Sequence, residues 1–205
     1  MKRFPAHVRV GVLLALAACG DNHAGPGPGS GSNPPPPGPP ALVYTDPTGG
    51  ALRLVKNARS TADHVVLDFI VGDAALTGFA TGFDLPLAPG KVSLGPFTPG
   101  TALAAGQDPI AASAVIPAAG PLAHTLVIGQ SQKADGAGAV AADTALAPHA
   151  VLFTVELAAT PPLTPGVIFD GTAAGFALPS GGLRTRAGLT VVAPADVKIG
   201  KLEIR

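Results

Sequence analysis

From Ala41 to Arg205 no apolar pattern lasts more than a few residues before glycine, proline, asparagine or aspartate interrupts it. What pattern there is repeats every second residue, the period of a strand whose alternate side chains face a core. Across 64–71, Val65, Leu67, Phe69 and Val71 share a face while Asp68 interrupts the other. Across 151–157, Val151, Phe153, Val155 and Leu157 share a face, with Thr154 and Glu156 opposite. Further strands are expected at 51–56, 77–85, 91–94, 123–129, 166–169, 174–178, 187–192 and 196–204. In the last, the apolar parity of Val197 and Ile199 against Leu202 and Ile204 flips across Gly200, which predicts a β-bulge there. The pairs Gly49-Gly50 and Gly181-Gly182, the latter preceded by Ser180, read as turns.

Prolines such as Pro86, Pro89, Pro96, Pro99, Pro117 and Pro165 fall at the expected strand ends, so the fold class is all-β, an antiparallel β-sandwich. The Ala-rich stretch 137–147 could form a helical turn that Pro148 would stop. No amphipathic helix separates the strands, which excludes a parallel α/β architecture. About 165 residues make one domain, 41–205, large enough to need neither a metal nor disulfides.

The segment ahead of it has another composition. Lys2, Arg3 and Arg9 precede the apolar run 10–18, the basic and hydrophobic regions of a secretory signal. Nine residues rise only about 14 Å as a helix, against a hydrocarbon core of about 30 Å. The sequence Leu16-Ala17-Ala18-Cys19-Gly20 then resembles the bacterial lipobox. That resemblance implies removal of 1–18, a diacylglyceryl thioether on Cys19 and acylation of the new amino group. It also implies a stable membrane anchor, since several acyl chains on one residue exceed the two-signal requirement. An ordinary cleavable signal that happens to carry a cysteine is the alternative. Gly20 rather than aspartate follows the cysteine, so the outer membrane is the expected location. Residues 19–40 read as the lipidated cysteine and a disordered tether, with eight prolines and six glycines between 20 and 40. At about 3.1 Å per residue its reach is at most about 65 Å.

Removing Lys2, Arg3 and Arg9 leaves ten bases against thirteen acids, a net charge near −3. Without a basic cluster there is no electrostatic footprint for nucleic acid. Cys19 is the only cysteine, so the mature domain has no thiol chemistry of its own.

The segments 65–71, 78–85, 91–100, 150–157 and 165–169, in that order, resemble the cohesin domains of bacterial extracellular complexes, a jelly-roll sandwich related to some carbohydrate-binding modules. The chain departs from the cohesin pattern at 84–90, where Asp84-Leu-Pro-Leu-Ala-Pro-Gly90 stands in place of a Tyr-Asp-Pro turn. The resemblance implies a dockerin-like protein partner or a polysaccharide.

Catalysis needs converging polar groups, and none assembles from the sequence. His64, His124 and His149 lie on or beside expected strands with no zinc-ligand spacing and read as edge or rim residues. Ser113, Ser131 and Ser180 sit in neither Gly-x-Ser-x-Gly nor Ser-x-x-Lys. Glu156 and Glu203 alternate with apolar neighbours, as exposed-face residues do. Asp135-Gly-Ala-Gly138 lacks the alternating acids of a calcium loop. Trp is absent and Tyr44 is the only tyrosine, which weakens sugar stacking. The expectation is a non-enzymatic chain with no catalytic residue, cofactor or metal, a lipidated envelope module that docks a protein on a sheet face or an end loop. A carbohydrate-binding or adhesion module is the alternative, and an envelope hydrolase the least supported.

Overall fold

The computed structural model describes residues 38–104, 111–132 and 142–205. Cys19, the tether up to Pro37, Asp135 and residues 137–141 of the Ala-rich stretch lie outside them. The strands run β1 (Leu42–Thr45), β2 (Leu52–Lys56), β3 (His64–Val71), β4 (Leu76–Gly78), β5 (Ala80–Pro86), β6 (Val92–Pro99), β7 (Ala111–Val115), β8 (Thr125–Ser131), β9 (Thr144–Leu146), β10 (Val151–Ala159), β11 (Gly166–Asp170), β12 (Ser180–Arg184), β13 (Thr190–Val192), β14 (Val197–Lys198) and β15 (Lys201–Ile204). A short 3-10 turn, Pro194–Asp196, precedes β14, and the described residues contain no α-helix.

Two five-stranded sheets face each other: sheet I, ordered β14-β2-β3-β10-β6, and sheet II, ordered β13-β12-β5-β8-β7. A third sheet, β1-β15-β11, and the β4-β9 ribbon complete the fold. Every pairing is antiparallel except β14 with β2. The chain is an all-β sandwich, as the alternation predicts.

Phenylalanines hold the two large sheets together. Phe69 and Phe153 are register partners on β3 and β10 and stack with centroids 4.9 Å apart. Phe83 on β5 meets Phe69 edge-on at 5.1 Å across the interface, and all three are buried. Aromatic pairs in these geometries add about 0.5–1.5 kcal/mol to the stabilisation from area burial. Leu54, Leu67, Leu85, Leu126, Leu157 and Leu183 surround them.

Several expectations are corrected. The register slips between Val151 and Phe153, so Leu152 joins Phe153 inside and Val151 is left 39% exposed. At Gly200 there is no bulge within one strand; the chain changes sheets, β14 pairing with β2 and β15 with β1. A Cβ at Gly200 would collide with the Thr45 carbonyl, which is why glycine stands at this crossing. Tyr44 seals it, donating from its hydroxyl to Leu54 O at 2.7 Å and accepting from the Gly200 N–H at 2.9 Å. Burial pushes the Tyr44 phenol well above its ordinary range.

The expected strand at 174–178 is turn and irregular chain, because Asp170 Oδ1 captures the Thr172 N–H and hydroxyl and Phe176 N–H bonds back to Ala173 O. Within 187–192 only Thr190–Val192 is strand, since Gly188 N–H bonds Thr185 O in a hairpin turn. The expected 123–129 shifts to Thr125–Ser131, with His124 in a left-handed turn (φ 59°) before it. The expected 77–85 divides at Phe79 into β4 and β5. The expected 91–94 extends to Pro99 through Pro96, which an edge strand tolerates. Thr144–Leu146 is a strand where a helical turn is expected.

Candidate docking face

Sheet II turns an unusual surface to solvent. On β5, Thr81, Phe83 and Leu85 are buried, which leaves Ala80, Gly82 and Asp84 outward. On β8, Leu126, Ile128 and Gln130 are buried, which leaves Val127, Gly129 and Ser131 outward. The registers bring these positions into rows. Gly182, Gly82, Gly129 and Ser113 lie side by side across four strands. One row is Arg184, Ala80, Ser131 and position 111; the opposite row is Ser180, Asp84, Val127 and Val115.

The middle row therefore exposes mostly backbone at Gly129, with Gly82 half-buried and Gly182 buried between β5 and β13. It forms a shallow depression of about 300 Å³ bordered by Ala80, Gly82, Ser180, Gly181, Gly182 and Arg184. A second depression lies over Ser113, Gly129 and Ser131. A side chain built at Gly129 would meet nothing within 4 Å.

The Ser180-Gly181-Gly182 segment, expected as a turn, is the start of β12. Gly181 and Gly182 have φ of 139° and 110°, a backbone other residues avoid, and a Cβ at Gly182 would strike the Val192 carbonyl. Glycine here lets β12 sit between β5 and β13, and Thr81 Oγ1 donates to Gly182 O at 2.8 Å from below. Ser180 Oγ donates to Asp84 Oδ2 at 2.7 Å, while Arg184 Nη1 donates to Gly188 O at 3.3 Å. Among the described residues neither Asp84 nor Arg184 has an oppositely charged partner.

The remaining candidates stay apart. His64 is half-buried at the start of β3 beside Asp63, 3.0 Å away, and His124 lies exposed in its turn. His149 is also left-handed (φ 62°) and joins a cluster that the sequence does not announce. Arg53 Nη2 lies 2.8 Å from Asp73 Oδ1 and 3.4 Å from His149 Nδ1, and His149 Nε2 lies 3.8 Å from the same carboxylate. No serine hydroxyl bonds to any of the three among the described residues, so the cluster lacks the nucleophile of a triad.

Ser113 and Ser131 belong to the sheet II face. Glu156 lies on β10 in sheet I, whereas Glu203 lies on β15 and is gripped by Lys201 and Arg205, so the two carboxylates do not share a cleft. Those cations hold Glu203 below the usual glutamate range. Among the described residues no group of three or more His, Cys, Asp or Glu could hold a metal ion. The lone Tyr44 is packed against Phe169 at 6.1 Å in the interior, away from any sugar platform. Searches among protein families, curated proteins and solved structures return no match to this chain.

Proposed function

We propose that the chain is a lipid-anchored, non-catalytic binding module of the cell envelope that docks a protein partner on the outer face of sheet II. The row Gly82, Gly129 and Ser113 carries this reading, because a stretch of sheet face with so few side chains lets another chain approach close to the backbone. The paired antiparallel sheets are the architecture that a cohesin-like module requires, which also supports it. The carbohydrate alternative has less behind it: Tyr44, Phe69, Phe83 and Phe153 are all spent on the core. The anchor rests on the Leu16-Ala17-Ala18-Cys19 sequence.

Two measurements test the two halves. Gly129→Arg projects a long cation into open space and is expected to abolish partner capture, while Ser93→Arg on sheet I leaves capture intact. Equal capture by both would remove sheet II as the docking face. Mass spectrometry of the mature protein from membranes is expected to find acyl mass on Cys19 and none in Cys19→Ser. An unmodified wild-type N-terminus would end the lipoprotein reading.

A further inference from the structure

The sheet II face is polarised along its strands. Asp84 opposes Ser180 at one end and Ala80 opposes Arg184 at the other, with the Gly82–Gly182 pair between them. Four residues at about 3.3 Å each place the acidic and basic ends roughly 13 Å apart. The Asp84 carboxylate is oriented by the Ser180 hydroxyl and the Arg184 guanidinium by the Gly188 carbonyl. Beside that cation Leu189, in the β12–β13 hairpin, is 67% exposed, and Val191 follows at 37%. Two charges of opposite sign, neither with an oppositely charged partner among the described residues and each held by a neutral hydrogen bond at opposite ends of one face, are a pattern for direction as well as for attraction.

We infer that the face reads a protein segment carrying an acidic residue and a basic residue about 13 Å apart, with small residues between them. It takes that segment in one orientation, acid over Arg184 and base over Asp84. This rests on the docking assignment to sheet II and adds the chemistry of the partner to it. Complementary charges select register and direction more than they add raw affinity. The row between them carries little side chain, so the partner's backbone can come close there, and only small partner residues leave room for that approach. An apolar side chain next to the partner's acid would cover Leu189. The partner lies on the face rather than adding to the ladder, because β5 and β12 already have a strand on each side.

The experiment is selection of a displayed random peptide library against the whole mature protein, repeated on Asp84→Lys/Arg184→Glu. The neutral pair Asp84→Asn/Arg184→Gln serves as a milder control, with thermal melting to confirm that each variant is folded. Wild-type selections are expected to enrich an acid and a base in fixed order, and the charge-swapped protein to enrich the reverse order. Each neutral substitution is expected to weaken a selected peptide by about threefold to tenfold. Peptides that lose binding on Gly129→Arg yet show no charge order would overturn the orientation and leave sheet II as a docking face. Peptides indifferent to Gly129→Arg, or no enriched peptides at all, would overturn both.

Discussion

Sheet I carries Arg53, Asp68 and Thr154 outward, and these side chains are tied to one another and to the loops. Thr154 Oγ1 donates to Asp68 Oδ1 at 2.6 Å, Asn57 Nδ2 donates to Asp68 Oδ2 at 2.7 Å, and Arg53 reaches Asp73. Sheet II, built around the same phenylalanines, turns out Ala80, Gly82, Gly129 and Ser113, which tie nothing across the strands. One sheet is finished on both faces by its own side chains. The other has one outward side-chain bond across its strands, Ser180 to Asp84, and is otherwise held by backbone ladders and inward packing, with few side chains on its exterior.

The sharpest way to break this comparison is through the core that both sheets share. Phe153 touches Phe69, Phe83 and Phe97, so Phe153→Ala is expected to cost about 3–5 kcal/mol, read as a fall in the urea midpoint. A loss under about 1 kcal/mol would mean that the sheets do not meet there. Next comes sheet II's glycine row, where Gly182→Ala, forced into positive φ and against Val192, should cost about 2–3 kcal/mol. Gly129→Ala should stay within about 0.5 kcal/mol. Similar costs at the two positions would show that the row is not divided into a wedged glycine and an open one.

On sheet I, Thr154→Ala removes one partly exposed hydrogen bond and is expected to cost under about 1 kcal/mol. A cost near that of Phe153→Ala would show the outer network to be a second core.

The smallest effect is expected with pH. Hydrogen bonds from Thr61 and His64 lower the Asp63 carboxyl, one from Thr172 lowers Asp170, and those from Lys201 and Arg205 lower Glu203. A carboxyl lowered in the folded state contributes its full stabilisation above its unfolded value and loses it as pH falls through the folded one. The melting temperature should therefore hold above about pH 5 and decline below about pH 4, with a shallower decline in Glu203→Gln. An identical acid limb in that variant would exclude Glu203 from the effect.

What was legible in the sequence follows the same division. In β3 and β10 large apolar residues alternate with polar ones, and the alternation announces both the strand and its buried face; the slip at Val151 and the burial of Val66 beside Val65 escape it, since both are set by neighbouring strands. Strand β12 could not be read that way, because Ser-Gly-Gly-Leu-Arg offers one apolar side chain and two residues that ordinarily mark turns. It is a strand because β5 and β13 flank it, which is tertiary information. The docking face shares that obscurity. Gly82 and Gly129 fall at outward parity in readable strands, but only the register sets them beside each other and beside Gly182. The Arg53, Asp73 and His149 cluster joins residues nearly a hundred positions apart, with no spacing to signal it.

Strand β1 pairs with β15 alone, and Ala41 and Arg205 exchange backbone hydrogen bonds of 2.8 and 3.0 Å at its outer end. A pull on the chain ahead of Ala41 would therefore load that pair first and then the ladder, Leu42 against Ile204, with the Leu42 N–H also bonded to Ala62 O, then Val43 against Glu203. Such peeling would next reach Tyr44, whose hydroxyl is fastened to β2 and to the crossing at Gly200. The buried phenol would thus act as a mechanical stop, the point at which a tugged domain yields no further slack.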